Sequence, residues 1–378
     1  MKRTEKGLTS TQAIITVASM MIGVRLLTVP RDVTAATGTP DGWISSLLDL
    51  ALGVIAVAVA ALVARMFVRQ GFFEFTQLII GKIPGYLLTT GYAAYLVFFV
   101  ANETRVLGEV VRYYLLSDTP LEIIVLLVLM PVIYLLYGGM TSVVRIQEIF
   151  FPVIMTVILL LMALLYSAVE LKKIEPIMGQ GMLPVLKGLP ITVLAALGFE
   201  MIMIFGPLMK NPREGLKAGI TSIVIVKGMN TLIILLGIAA FGHLTLPSVV
   251  FPVTEMAKEI EIPGGFVERL DSAFLTVWIM SIFSTIAIGL FVASYGIEKL
   301  YRVKIRTAVL ILTPLVVWIA LTPENLQDAF AMGKTIVNVG IFYIGTVPAV
   351  LFLIAKLRNL GESGKNRFPA EASSEEAA

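Results

Sequence analysis

Of 378 residues, 57% are hydrophobic and only 15% charged, with a mean hydropathy of +0.91; soluble domains carry roughly a quarter charged residues, so this chain is composed for a lipid bilayer. The net charge of +3 is scattered, without a basic stripe interleaved with aromatics, which excludes nucleic acid as a partner. Zero cysteines and a single histidine, His243, exclude disulfides, thiol nucleophiles and the usual metal clusters; no nucleophile–base pair is visible, and neither an enzyme, a cofactor nor a metal site is expected.

Crossing about 30 Å of hydrocarbon takes roughly 20 helical residues. Apolar runs of suitable length lie near 10–36, 42–67, 83–108, 119–138, 144–168, 183–209, 215–242, 266–297, 305–322 and 333–357, which predicts ten spans in one membrane domain, 1–358. The polar segment Met1 to Thr9 leads into the first run without a small-residue cleavage site, so that run reads as a retained helix. Lysines and arginines are about twice as frequent on the side of the N-terminus, which places both termini in the cytoplasm. His243 falls in an outer loop. Residues 244–266, with Pro247, Pro252 and Pro263 around an amphipathic stretch, read as a lid or as a helix on the membrane surface. The polar, acidic tail 359–378 reads as disordered.

Two spans differ from the rest. In the first, Gly23, Arg25 and Pro30 interrupt the apolar run, and in the sixth Leu197-Gly198-Phe199-Glu200 is followed by Phe205-Gly206-Pro207. Each begins a group of five, as in an inverted repeat, 8–168 and 183–358, that holds a solute at the midplane between two broken helices. The simpler account is that these glycines and prolines kink closely packed helices.

Several motifs carry a resemblance. Thr39-Pro40-Asp41-Gly42-Trp43-Ile44 opens the second span, Glu103-Thr104-Arg105 closes the third, Thr119-Pro120 opens the fourth and Gly138-Gly139 ends it. With Leu197-Gly198-Phe199-Glu200 and with Glu268-Arg269-Leu270-Asp271 and Trp278 in the eighth, the chain resembles the endospore germination permease family from Leu8 to Lys356. These are the B subunits of Ger-type nutrient receptors. The resemblance implies an all-α, ten-helix fold of the amino acid/polyamine/organocation transporter (LeuT-like) type. It also implies residence in the inner membrane of a bacterial spore, assembly with A and C subunits, and a small-molecule germinant such as an amino acid. The same pocket suits an autonomous proton- or sodium-coupled amino-acid transporter.

Related amino-acid permeases break the first helix at Gly-small-Gly, where bare amides hold a substrate carboxylate; here the positions read Gly23-Val24-Arg25. Arg25 offers a donor fork to a ligand's carboxylate, or pairs permanently with Glu200, since an isolated charge in a membrane is costly. Glu200 is a candidate protonatable group, or a cap on the second half of its broken helix. Tyr95 and Phe99 share a face of the third span and fall, with Leu197, where the family's ligand contacts would be. Gly198, Phe199 and Thr285 complete the expected ligand set. Ser284 and Thr285 suit a cation site or serve as hydrogen-bonding glue between helices. Lys227, deep in the seventh span, is a candidate for charge coupling, with Asp49 or Glu200 to neutralise it.

Overall fold

Helix ends leave four amides and four carbonyls without intrahelical partners, and in a bilayer no water is present to satisfy them. Where the chain breaks a helix inside the apolar core, those groups therefore have to be met by the protein itself. The computed structural model describes residues 7–67, 70–166, 169–195, 197–260 and 270–360, and the position of its helix breaks is what organises it.

Thr9 and Gln12 form a reciprocal capping box that starts α1 (Ser10–Met21). The helix stops at Ile22 and Gly23, and α2 (Arg25–Thr37) leaves at 55° to it. There follow α3 (Gly42–Met66), the short aromatic α4 (Phe72–Ile80), the 33-residue α5 (Lys82–Tyr114), α6 (Leu121–Tyr137) and α7 (Met140–Tyr166). The sixth apolar run is also divided: α8 (Met182–Leu194) ends before Gly198, and helical turns resume from Phe199 through α9 (Ile202–Phe205) to Leu208. The remainder comprises α10 (Gly215–Thr245), α11 (Pro252–Lys258), α12 (Leu270–Tyr301), α13 (Ile305–Ala320) and α14 (Leu326–Ile341), which passes through a π-helical turn into α15 (Val347–Leu357).

Among the described residues six helices are long and apolar enough to cross a membrane, seven if the bent pair α1–α2 is one broken span. The fourth, sixth and ninth runs of the sequence correspond to shorter apolar helices, Leu121–Tyr137, Met182–Val193 with Phe199–Leu208, and Ile305–Ala320. At about 1.5 Å per residue these fall short of the hydrocarbon thickness. Large apolar side chains such as Ile55, Leu127, Tyr134, Leu310 and Trp318 stand exposed on the outside, as on a surface that faces lipid. The chain is an integral membrane protein.

α1 and the broken sixth segment lie at the centre, with α1 against α7, α10 and α12, and α2 against α8 and α10; α3 packs on α10 and α5 on α12. At one end the N-terminal strand-like residue Leu8 bridges Met209: Leu8 N–H donates to Leu208 O at 3.0 Å, Lys210 N–H to Leu8 O at 2.8 Å, and the Ser10 hydroxyl to the Glu214 carboxylate. At the opposite end Arg31 Nη1 donates to Val250 O at 2.8 Å while its guanidinium lies 5.0 Å from the Phe330 ring centre.

The segment after α10 departs from one of its two sequence readings. Pro252, Val253, Thr254, Met256 and Ala257 of α11 are buried, and Tyr114 Oη donates to Glu255 at 2.7 Å, so α11 is packed into the protein and not laid on a membrane surface. His243 is not in a loop; it sits in the last turn of α10, just past a kink at Gly242. Residues 261–269 and the tail from 361, on which the end of the lid segment and the disorder of the tail were read, lie outside the described residues.

Candidate functional site

Side chains meet the backbone groups at the two breaks, from other helices at the first and from both a near neighbour and another helix at the second. At the first, Val24 N–H donates to Glu103 Oε2 of α5 at 2.9 Å. The carbonyl of Ile22 accepts from the hydroxyls of Ser281 at 2.5 Å and Thr285 at 3.4 Å, and Thr285 also donates to Ser19 O at 3.1 Å. At the second, Glu200 Oε2 accepts from Gly198 N–H at 2.8 Å and Oε1 accepts from Tyr92 Oη at 3.3 Å. The last carbonyls of the α8 segment are met from α10: Lys227 Nζ donates to Thr192 O, which also accepts from Ala195 N–H at 3.1 Å, and Asn230 donates to Ala195 O at 3.5 Å.

Between the breaks lies a cavity of about 30 Å³, room for roughly two waters. Its wall is mostly apolar, with Met20, Met21, Phe99, Leu197, Ile336 and Val337, and three polar side chains converge on it: Arg25, Asn102 and Glu103. Few polar groups on an apolar concave surface is the usual composition of a small-ligand site. The guanidinium of Arg25 makes no hydrogen bond among the described residues; its nearest carboxylate is Asp32, 3.8 Å away and beyond hydrogen-bond reach. The Asn102 Oδ1 is buried with no hydrogen-bond partner among the described residues. Gly333 of α14 makes room for that amide, since a Cβ there would lie 3.0 Å from Asn102 Nδ2.

Of the residues expected to bind ligand, the cavity brings together Gly23, Arg25, Phe99 and Leu197. Val24 is at the break, with its amide turned to Glu103. Tyr95 stands behind Phe99, its ring 6.2 Å from Phe99, 5.6 Å from Tyr343 and 5.8 Å from Tyr92. Gly198 and Phe199 are buried at the second break, where Gly198 packs on Met20. The expected pairing of Arg25 with Glu200 is not formed: Glu200 is satisfied within its own break and by Tyr92, while Arg25 faces Asp32 and the cavity. Ser284 donates to Met280 O on its own helix, so the hydroxyl that joins Thr285 at the first break is Ser281. Lys227 is neutralised by Asp49, and both lie away from the cavity.

Sequence reasoning quoted Glu103 only as the close of the third span and did not name Asn102, Ser281 or Gly333. An acidic residue inside an apolar helix was the signal for Glu103, because such residues face a partner or a cavity. Ser281 and Thr285 share a face four residues apart, which adjacency on its own does not show.

An all-helical membrane protein with two broken helices meeting at an apolar, charge-tipped cavity belongs to the transporter-like class. Comparison with known proteins agrees with that class: the solved structure of MhsT in complex with L-phenylalanine superposes with a TM-score of 0.64 at 13% identity, covering 93% of this chain and 99% of that one. Residues 7–329 match the sequence model of the spore permease family, described as "Spore germination protein", and the chain belongs to that family, which is permease-like and not enzymatic. Among its relatives in Bacillus subtilis (strain 168), Spore germination protein YndE is 30% identical over 355 residues, covering 94% of this chain and 98% of the relative. Spore germination protein A2 is 27% identical over 362 residues, with the same coverage of 94% and 98%.

Proposed function

We propose that this chain is the B subunit of a spore nutrient receptor, which binds a small germinant, an amino acid, in the cavity between the two broken helices and passes a conformational change to A and C subunits. It resides in the spore inner membrane with both termini cytoplasmic. The observation that carries the reading is Arg25: a guanidinium fork at the first break, lining an apolar cavity, 3.8 Å from Asp32 and with no hydrogen bond among the described residues. A planar set of donors without acceptors suits a carboxylate.

The size of the cavity bears on signalling. At about 30 Å³ it has room for roughly two waters, and an amino acid requires a wider arrangement of Phe99 and Leu197. A ligand that binds one conformation better than another shifts the population toward it, which is the requirement for a sensor.

An autonomous transporter is the second reading, favoured by the fold shared with MhsT. The test is equilibrium binding of an L-amino-acid panel to the purified wild type and to Arg25→Ala, followed by flux of any binder in proteoliposomes. Loss of a charge-assisted hydrogen-bond pair is expected to weaken binding by about 10- to 100-fold, on the order of 1.5–3 kcal/mol. Equal binding by the two proteins overturns the role of Arg25. Concentrative, ion-driven flux by the wild type makes the protein a transporter.

A further inference from the structure

The amide that a broken helix offers to an anion is already taken in this protein. The first amides of a helix carry the positive end of its dipole and hold anions well, and at the start of α2 the anion is supplied by the chain itself: Val24 N–H donates to Glu103 Oε2 at 2.9 Å. The contact is close. A Cβ on Gly23 would lie 2.5 Å from Glu103 Oε2 and 3.1 Å from its carboxyl carbon, so the absence of a side chain at Gly23 is what lets the carboxyl rest on the backbone. Glu103 is only 4% exposed, yet it lines the cavity, and its other oxygen, Oε1, has no hydrogen-bond partner among the described residues. Its chain neighbour Asn102 lines the same cavity with Oδ1 buried and unpartnered.

From this geometry we infer that Glu103 is a built-in occupant of the anion position, and that the cavity reads its ligand at this wall through an amine. The ammonium of the ligand donates to Glu103 Oε1 and Asn102 Oδ1, and its acid group turns to the open fork of Arg25. A ligand carboxylate placed on Val24 N–H would first have to displace Glu103 and leave that buried group without its donor. An ammonium needs no displacement: it has three donors to place, and two acceptors at this wall stand without partners. The selected class is therefore small primary amines that also carry an acid, with the amine as the group that cannot be removed. This inference rests on the reading that the germinant binds in the cavity.

The experiment separates the two. Binding to the detergent-purified full-length wild type is measured for L-alanine, L-alaninamide and propionate, and for the corresponding amino acid, amide and desamino acid of L-valine. The expected result is that at least one parent amino acid binds, that its amide binds about 10- to 100-fold more weakly because it lacks the carboxylate for Arg25, and that the desamino acid binds more weakly than the amide. Glu103→Gln is expected to weaken the parent and the amide by at least tenfold, and Glu103→Asp to recover part of that loss. The ligand series needs no mutation, so it decides the question even if a variant does not fold. A desamino acid that binds as tightly as its parent, or more tightly in Glu103→Gln, overturns the inference and leaves the cavity reading in place. A wild type that binds none of these probes overturns the cavity reading, and the inference with it.

Discussion

Lys227→Met is expected to be the most destabilising single substitution in the bundle. The ammonium of Lys227 contacts the Asp49 carboxylate and the carbonyl of Thr192, and the two charged side chains are 2% and 3% exposed. One side chain thus ties α10 to α3 and to the last turn of α8. Removing it leaves a buried carboxylate without a counter-charge and takes from the Thr192 carbonyl the second of its two donors, the first being Ala195 N–H at 3.1 Å, at a cost of about 3–5 kcal/mol, most of it from the stranded charge. Asp49→Asn is expected to be destabilising for the complementary reason, since it strands the ammonium. The double variant Lys227→Met/Asp49→Leu removes both charges, and buried pairs replaced by apolar residues of similar volume are often neutral in stability. Thermal unfolding midpoints of the four detergent-purified proteins check this: both singles fall well below the wild type, and the double recovers most of the loss. Singles that unfold with the wild type would show that the pair does not hold these three helices.

The same pair illustrates what the sequence could convey. A lysine deep in an apolar run has to meet a carboxyl, and Asp49 was one of two named partners; choosing between Asp49 and Glu200 required the three-dimensional arrangement, because nothing local distinguishes them. The breaks were legible because Gly23, Pro30, Gly198 and Pro207 interrupt hydrophobic runs, and the helical membrane class was legible from run length and charge content. The third span was less so. Its apolar run ends near residue 108, with Glu103-Thr104-Arg105 at its close, whereas α5 continues to Tyr114. Arg105 and Glu109 are paired within the helix, at 2.7 Å with side chains 4% and 7% exposed, and Arg112 joins Glu109 at 2.9 Å, while Glu103 turns to the first break.

The position of Glu103 against Gly23 could not have been read at all. The residues are 80 apart in the chain, and the contact depends on where α5 crosses the first break, which is a matter of packing and not of local pattern. Resemblance misleads in the same place: a Gly-small-Gly break suggests open amides, while here one amide is closed by a side chain from another helix. The lining of the cavity was thus only partly legible, through Gly23, Arg25, Phe99 and Leu197.

Gly198→Ala is expected to damage the protein through its backbone, at the contact between the two broken helices. Gly198 has φ of 122° and ψ of −16°, a region that residues with a Cβ occupy at a cost of about 1–3 kcal/mol. A Cβ there would also lie 2.8 Å from Met20 Cγ, and 3.1 and 3.2 Å from the carbonyl carbon and oxygen of Met20. Overpacking of this kind adds about 1–3 kcal/mol. Met20→Ala in the same protein removes the side-chain clash but neither the contact with the backbone carbonyl nor the backbone strain, so the double variant recovers only part of the loss. Gly23→Ala is the control, because its Cβ meets the far end of a flexible glutamate and its backbone is not in the left-handed region. Unfolding midpoints should therefore order as wild type, then Gly23→Ala, then Gly198→Ala/Met20→Ala, then Gly198→Ala. Full recovery in the double variant would place the whole cost in the Met20 side chain and show that the second break tolerates a side chain at its hinge.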